Sequence, residues 1–456
     1  MEAQARPQPD AGFLSGPILP PLIRFSLPLM LSLLLQALYG GVDLAVVGWF
    51  STTAHVSAVA TGSQMMQAVT VVITGLTMGV TVLLGHALGA DDPKRAGDVT
   101  AGQVRLFFPL ALLCTLVMLL LAPWFTRLMQ VPDAAVDATV SYIRICSSGM
   151  VFITAYNVIS GLFRGIGNSR SPFLFVLIAC LVNIILDLLF VGAFRMGAAG
   201  AAWATVLAQA VSVAFSMGYL RRHPFSFPVG LANLRAPGVP FGILRVGGPI
   251  ALQELLVHIS FLIITSIVNR LGLVASAGIG ISEKLFVFLA IAPMAFMSAL
   301  SAFVAQNMGA CNPQRALRAM YVAQAISFAC GVLTFLLTFF AGSFLASIFD
   351  GDPAVIQATA QYMRGSSFEY LMIPFTFCYL GYFNGRQRTA FVMIQGLVSA
   401  FLARIPLSYF LSSLPGASLF TISLAVPAAS LLSLGLCVAY FLHMRRQEPV
   451  SWEIIP

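Results

Sequence analysis

The sequence predicts an all-α protein that crosses a membrane about twelve times, in two homologous halves of about six helices each. Three observations support this prediction: an apolar composition, an internal repeat, and basic residues at alternate helix ends. Of the 456 residues, 59% are hydrophobic and only 9% are charged, with a mean hydropathy of +0.92. Soluble domains carry about 25% charged residues, so this composition indicates a polytopic membrane protein.

Apolar stretches long enough to cross a bilayer, which takes about 20 residues, follow one another along the chain. In the first half we expect spans at 22–50, 60–88, 101–129, 138–164, 171–193 and 199–221. In the second half we expect spans at 246–270, 279–308, 319–349, 359–385, 390–413 and 421–444. The connections are short, so no separate soluble domain is predicted.

The two halves repeat at a spacing of 220 or 221 residues. GHALGADDPKRAGDV at 85–99 resembles AQNMGACNPQRALRA at 305–319, and RFSLP at 24–28 resembles RVGGP at 245–249. Such a repeat indicates duplication of one structural unit. An even number of spans returns each half to its starting side, so the halves are parallel repeats related by an axis along the membrane normal.

The repeat divides the chain into two predicted lobes and a connecting segment. The segment RRHPFSFPVGLANLRAPGVPFG is basic and rich in Pro and Gly, as is typical of linkers. We therefore predict a first lobe at 1–220, an interlobe linker at 221–242 and a second lobe at 243–456.

Basic residues concentrate at one set of alternating span ends. These ends carry Arg24, Lys94, Arg95, Arg105, Arg164, Arg170, Arg221, Arg222, Arg235, Arg245, Arg315, Arg318, Arg386, Arg388, Arg445 and Arg446. The opposite ends carry chiefly Arg127, Arg195 and Arg270. By the positive-inside rule the basic ends and both termini are cytoplasmic. The net charge of +8 therefore reflects topology, and we expect the lipid bilayer, not nucleic acid, as the partner.

The sequence predicts neither a cofactor nor catalysis. The seven cysteines are scattered through apolar stretches without a Cys-x-x-Cys pair, which favours buried apolar roles over disulfides or metal binding. The five histidines show no ligand spacing. An enzyme would need histidines or acids clustered at the membrane surface, and no such cluster is evident.

Two acids lie deep within predicted spans. Asp43 lies in LQALYGGVDLAVVGWF and Asp187 in LIACLVNIILDLLFVG. A charged side chain at such depth costs about 2.5–3.5 kcal/mol even on a lenient insertion scale. Such a cost persists where the acid faces a cavity, a partner or an ion, so both are candidate functional residues.

Further polar side chains accompany these acids. Asn183 precedes Asp187 by four residues and shares its helix face. Gln36 and Tyr39 precede Asp43 by seven and four residues and share its face. Two residues of neighbouring spans reach a similar depth: Thr205 and Asn157.

Two carboxylates with amide and hydroxyl oxygens suit either of two cations. Close, poorly solvated acids cannot both ionise comfortably, so the pair would hold a proton. Alternatively the oxygens would bind a hard cation such as Na⁺ at Asp43 and Asp187. A third possibility is a hydrogen-bonded pair that only fixes helix packing.

The second half offers a control for these possibilities. At the repeat spacing, Asp43 falls on Ile264 or Ile263. Asn183 falls on Ala403, and Asp187 falls on Leu407. Packing needs should be similar in both halves, so a polar cluster confined to the first half favours a functional site.

A weaker signal lies on the seventh predicted span. Glu254 and His258 are one helical turn apart. They would contact a cationic substrate, pair with each other, or pair with Arg404 on the eleventh span.

Several segments together resemble the MATE (multidrug and toxic compound extrusion) transporters, of the bacterial type that includes MepA-like and DinF-like proteins. They are SLPLMLSLLLQALYGGVDLAVVG, GHALGADDPKRA, GLFRGIGNSRSP and LVNIILDLLFVGAFRMGAAGAAWATVLAQ. The resemblance covers nearly the whole chain. It implies a V-shaped fold of two six-helix lobes, and export of drugs or metabolites driven by inward H⁺ or Na⁺ through a bacterial inner membrane.

The resemblance also implies roles for particular residues. In that family an acid on helix 1, an Asn-x-x-x-Asp on helix 5 and a Thr on helix 6 form the cation site. The matching residues here are Asp43, Asn183, Asp187 and Thr205. The Gln and Tyr of helix 1 match Gln36 and Tyr39, and Asn157 matches in a looser register.

The sequence thus predicts a monomeric antiporter that exports organic, often cationic, small molecules by alternating access of its two lobes. It does not choose between H⁺ and Na⁺. The main alternative is a flippase for lipid-linked oligosaccharides, which would need a cationic cavity to hold pyrophosphate. Arg404 is the main cation at mid-membrane depth, so this alternative ranks second. A passive channel would not explain acids confined to one half.

Overall fold

The computed structural model describes residues 12–416 and 418–447, and every regular element in these ranges is helical. The first half contains α1 (Leu19–Phe50), α2 (Thr53–Gly89), α3 (Pro93–Gly102), α4 (Val104–Leu128), α5 (Asp133–Ser148), α6 (Met150–Ile166), α7 (Arg170–Asp187), α8 (Gly197–Arg222) and the short α9 (Leu231–Leu234). The second half contains α10 (Val239–Asn269), α11 (Leu273–Leu289), α12 (Ile291–Gly309), α13 (Pro313–Ser347), α14 (Pro353–Ser366), α15 (Glu369–Gly385), α16 (Thr389–Leu397), α17 (Ile405–Ser412), α18 (Leu419–Ser423) and α19 (Ala425–Gln447). Two π-helical segments, Leu188–Ala193 and Val398–Arg404, follow α7 and α16.

Ten stretches of helix among the described residues are long and apolar enough to span a membrane, and α5 with α6 makes an eleventh. This confirms the predicted all-α, multi-span fold, although the count is ten or eleven rather than twelve. The helices α5 and α6 meet at Gly149 with a bend of 52°. The predicted span at 359–385 is likewise divided, into α14 and α15, whose lengths are 14 and 17 residues.

The described chain forms two compact units. The first unit contains Leu27–Ala251, and the second contains Gly12–Ser26 together with the chain from Leu252 onward. Each boundary therefore falls inside a helix, beside Pro28 in α1 and just after Pro249 in α10. The lobe limits predicted at 220 and 243 describe the sequence repeat and stay a prediction.

In the first unit, α2 packs closely on α6 because two glycines, four residues apart, remove side chains from the contact. A Cβ at Gly161 would meet the Thr77 Cβ at 3.0 Å, and a Cβ at Gly165 would meet the Thr81 carbonyl oxygen at 3.0 Å. Thr81 Oγ1 donates to the Gly161 carbonyl at 2.7 Å. Small residues at this spacing let helix backbones approach in a membrane, where interhelical hydrogen bonds add stability.

The second unit repeats this contact between α12 and α15. A Cβ at Gly381 would meet the Met297 carbonyl oxygen at 2.5 Å, and a Cβ at Gly385 would meet the Val304 Cβ at 2.6 Å. The two glycine pairs are 220 residues apart, as the repeat predicts. The duplication therefore preserves the helix contact around which each unit is packed.

The second unit also holds the first described residues of the chain. The Arg315 guanidinium donates to the carbonyl oxygens of Gly12, Phe13, Ser15 and Gly16. Phe13 is buried against Phe25 and Phe303. Residues 1–11 and 448–456, on which the prediction of cytoplasmic termini bears, lie outside the described residues.

Candidate cation and substrate site

The first unit buries two acids around one amide. Helix α1 supplies Asp43, and α7 supplies Asn183 and Asp187. Asp43 is 4% exposed, and Asn183 and Asp187 are 0% exposed. With its nitrogen facing the acids, the Asn183 amide donates to Asp43 Oδ1 at 2.8 Å and to Asp187 Oδ2 at 3.2 Å. The four-residue spacing on α7 thus produces the predicted cluster.

Thr205 on α8 completes the contacts of Asp43. Its Oγ1 lies 3.4 Å from Asp43 Oδ2 and 3.0 Å from the carbonyl oxygen of Ala201. A hydroxyl has one proton, and the shorter contact to Ala201 is a common bond within helices. When that bond forms, a lone pair of the Thr205 oxygen is free to act as a ligand for a cation beside Asp43.

One oxygen of the cluster is left without a partner. Asp187 Oδ1 is buried and accepts no hydrogen bond from the described residues. An unmet buried acceptor costs about 1–3 kcal/mol, and more when it is charged. Asp187 also ends α7, where the chain changes to the π-helical segment Leu188–Ala193. Such π-helical turns occur frequently at functional sites, so the cluster has the features of a binding site.

Asp43 borders a cavity of about 220 Å³ that lies wholly within the first unit. Five predicted residues line it: Gln36, Tyr39, Asp43, Asn157 and Thr205. The sequence gives no pattern for the other polar or soft side chains of the wall, which are Ser63, Met66, Gln67, Thr70, Tyr142, Cys146, Tyr156, Cys180 and Gln209. Their hydroxyl, amide and thioether groups suit an ion together with part of an organic molecule.

Asn157 lies on the cavity wall without touching the acids. Its Nδ2 donates to the Ile153 carbonyl at 2.8 Å, and its Oδ1 accepts from Thr74 Oγ1 at 3.3 Å. These bonds fix the amide between α2 and α6. The structure therefore separates Asn157, as a wall residue, from the Asp43 cluster.

Glu254 and His258 belong to the second unit, whereas this cavity is formed by residues of the first unit. Both lie on α10 in the second unit, where they are partly buried. Neither is among the residues that line the cavity. Arg404, which was one predicted partner for them, pairs instead with Glu369.

The second unit contains a buried charged cluster that was not predicted. Glu369 Oε1 lies 3.4 Å from an Arg404 guanidinium nitrogen and accepts from Ser430 Oγ at 2.8 Å. The guanidinium also lies over the Phe261 ring, 4.8 Å from its centroid. The cluster of two acids and an amide was predicted to be specific to the first half, and the second half holds a buried cluster of different composition. Like Asp43, Glu369 is an acid inside a predicted span, and this feature of the sequence could have identified it as a buried charged residue.

A family model described as MatE matches residues 28–189 and 249–410. The chain belongs to the MATE family. The two matched segments are offset by 221 residues at both ends (249 − 28 and 410 − 189), so the repeat of this MATE protein is also a repeat of the family model.

Similar proteins cover almost the full length of this MATE chain. "Probable multidrug resistance protein YpnP" of Bacillus subtilis is 27% identical over 406 residues, which is 88% of this chain and 90% of that protein. "FAD transporter" of Shewanella oneidensis is 26% identical over 454 residues, covering 96% and 97%. "Multidrug export protein MepA" of Staphylococcus aureus is 22% identical over 456 residues, covering 97% and 98%.

Solved structures share the fold. "Crystal structure of MATE in complex with MaL6" superposes with a TM-score of 0.89 at 20% identity, covering 96% of this chain and 98% of that chain. "Outward-facing conformation of a multidrug resistance MATE family transporter of the MOP superfamily" gives 0.89 at 20% identity, covering 98% of each. This likeness confirms the predicted fold class.

Proposed function

We propose that this protein is an antiporter that exports organic, often cationic, compounds in exchange for H⁺ or Na⁺. The observation that carries the proposal is the pair of buried acids beside a cavity in the first unit. The side chains that contact them, Asn183 and Thr205, are neutral. Two buried carboxylates with neutral neighbours require a bound cation, because uncompensated buried charge is costly.

The acids would bind H⁺ or Na⁺ when the site is open to the outside. Neutralising Asp43 removes a negative charge from the cavity wall that α1 forms. Gln36 and Tyr39 lie on the same helix and line the same cavity, so the change affects the surface that a substrate contacts. A change of this kind would lower the affinity for a cationic substrate and release it. Each elementary charge that crosses the membrane down a potential of about 100 mV supplies about 2.3 kcal/mol. This energy corresponds to a nearly fiftyfold concentration gradient of the substrate.

The proposed substrate class rests on the chemistry of the cavity and on the names of relatives. Acidic and aromatic side chains attract organic cations, and two of the relatives above are described as multidrug proteins. Another relative is described as an FAD transporter, so an anionic substrate is a distinct possibility within the family. No lysine or arginine lines the first-unit cavity in the described chain, which disfavours pyrophosphate-linked lipids.

The setting of this function is also a proposal. We place the protein as a monomer in a bacterial inner membrane, with the basic span ends and both termini in the cytoplasm. It would need no cofactor besides the coupling ion.

The test is efflux of an organic cation such as ethidium from proteoliposomes, under an imposed Na⁺ or H⁺ gradient. We expect one gradient to drive efflux by the wild type and neither to drive efflux by Asp43→Asn. The matched control is Asp137→Asn, which removes an exposed carboxylate of α5 and should leave transport intact. Equal gradient-driven efflux by the wild type and by Asp43→Asn would refute the proposal.

A further inference from the structure

A second cavity, of about 280 Å³, lies in the first unit at the basic end of the helices. It extends from this end toward the middle of the helices, and its walls are Thr100 of α3, the first turns of α4, the face of α6 from Val151 to Leu162, and the last turns of α8. Phe225, in the segment after α8, closes one side. None of its lining residues belongs to the Asp43 cavity, so the two are separate sites.

The wall is almost entirely apolar, yet it contains three polar atoms without partners. Thr100 Oγ1, Gln103 Oε1 and Thr154 Oγ1 are buried and form no hydrogen bond with any described residue. The three side chains are 8%, 4% and 2% exposed. An unmet buried polar atom costs about 1–3 kcal/mol, so three at one cavity indicate a ligand with its own polar groups.

These atoms define what the ligand must offer. The threonine hydroxyls can donate to a carbonyl oxygen, whereas Gln103 Oε1 can only accept and needs a donor. The amide nitrogen of Gln103 already donates to the Thr100 carbonyl at 2.9 Å, which fixes the orientation of Oε1. The ligand is therefore an apolar body that carries both an acceptor and a donor.

The rim of the cavity indicates where the ligand comes from. Val104, Phe108 and Met217 line it and are 50%, 53% and 48% exposed. On α4 the exposed apolar side chains continue at every fourth residue through Leu112 and Leu116. In a membrane protein such a stripe faces the acyl chains, so the cavity opens toward lipid.

Two exposed cationic residues are sequence neighbours of residues that line this cavity. Arg105 follows the lining residue Val104 and is exposed, and Arg221 follows the lining residue Leu220 and is exposed. One Arg105 guanidinium nitrogen donates to the Ala236 carbonyl, which anchors the side chain. Basic pockets beside membrane helices suit anionic lipid headgroups.

We propose that this crevice binds one phosphatidylglycerol molecule from the leaflet at the basic end of the first unit. An acyl chain fills the cavity, and an ester carbonyl accepts from Thr100 or Thr154. A glycerol hydroxyl of the headgroup donates to Gln103 Oε1, and the phosphate faces Arg105 and Arg221. Phosphatidylcholine lacks the headgroup donor, and the ammonium of phosphatidylethanolamine would face two arginines.

The experiment is native mass spectrometry of the delipidated full-length protein, titrated with each of the three lipids. We expect the wild type to bind one phosphatidylglycerol about tenfold more tightly than either other lipid. Ala155→Phe, which fills the cavity from its wall, and Gln103→Leu, which removes the acceptor, should abolish this preference. Leu116→Phe, on the exposed stripe beyond the cavity, is the matched control and should preserve it.

Thr154→Val keeps the size of the side chain and tests the site if the larger changes prevent folding. It should weaken phosphatidylglycerol binding severalfold. Equal affinity for the three lipids would overturn the proposal, as would phosphatidylglycerol binding that Gln103→Leu and Thr154→Val leave unchanged. Phosphatidylethanolamine binding as tight as phosphatidylglycerol binding would also overturn it, because the arginines would then play no part.

Discussion

In the first unit the buried acids Asp43 and Asp187 share one neutral amide, whereas in the second unit the buried Glu369 faces Arg404. The two units descend from one repeat and keep the same glycine contacts between helices. The second unit thus supplies its own counterion, whereas the described contacts of the first-unit acids are with the neutral side chains of Asn183 and Thr205. This difference supports the proposal that the coupling ion binds in the first unit.

The largest expected effect comes from removing the counterion of the second unit. Arg404→Met should lower stability by about 3–5 kcal/mol, because Glu369 is left buried without its partner. The double variant Glu369→Gln with Arg404→Met should recover most of this loss, since removing both charges is often neutral. Thermal unfolding of the purified protein in detergent measures both changes.

Arg318→Met is the matched control for Arg404→Met, because Arg318 is exposed on α13. Its stability should lie within about 0.5 kcal/mol of the wild type. If Arg404→Met were as mild as this control, the ion pair would contribute little and the contrast between the units would fail.

The next effect is stabilisation of the first unit by its ion. Saturating the coupling ion should raise the stability of the wild type by about 2.7 kcal/mol at a hundredfold excess over its dissociation constant. Asp43→Asn should lose this response, because one carboxylate of the pair is gone. Melting curves at several Na⁺ concentrations and several pH values measure the response and identify the ion.

Glu369→Gln with Arg404→Met is the informative comparison for this prediction. It alters the buried charges of the second unit and should keep the ion response of the wild type. An ion response that survives Asp43→Asn and disappears in this double variant would move the coupling site to the second unit.

A smaller effect is expected from the amide that bridges the acids. Asn183→Ala removes the hydrogen bonds that the amide donates to Asp187 Oδ2 and Asp43 Oδ1, so we expect a loss of about 1–3 kcal/mol. Asn157→Ala also deletes a cavity amide, but one that bonds to Ile153 and Thr74 and not to the acids. It should cost about 1 kcal/mol and leave ion binding unchanged. Equal effects of both variants on ion binding would show that the Asn183 bridge has no special role.

Spacing and composition predicted most of the first-unit site, because its residues lie on few helices. Asn183 and Asp187 are one turn apart, and the depth of Asp43 follows from the length of its apolar stretch. The pairing of Glu369 with Arg404 joins residues 35 positions apart on different helices, and no local pattern encodes it. Residue patterns likewise gave no sign of the break at Gly149, because the apolar composition continues through it.

The sequence repeat also did not predict which residues belong to each compact unit. The repeat marks where similarity begins, whereas packing assigns Gly12–Ser26 to the second unit through contacts such as those of Arg315 with backbone carbonyls. A hydrogen bond from a side chain to a carbonyl leaves no mark on the residue that accepts it. An amino-acid sequence therefore reveals duplicated helices more readily than the contacts that join distant segments.

The smallest expected effect concerns Thr205, whose oxygen lies 3.4 Å from Asp43 Oδ2. Thr205→Val keeps the shape of the side chain and removes one oxygen, which should weaken ion binding by about 0.5–1.5 kcal/mol, or roughly two- to tenfold. Thr205→Ser restores the oxygen and should return the affinity to that of the wild type. The ion concentration that gives half-maximal stabilisation measures each affinity. If Thr205→Val bound the ion as tightly as Thr205→Ser, the ligands would be the two acids and Asn183 alone, and the asymmetry between the units would rest on the counterion only.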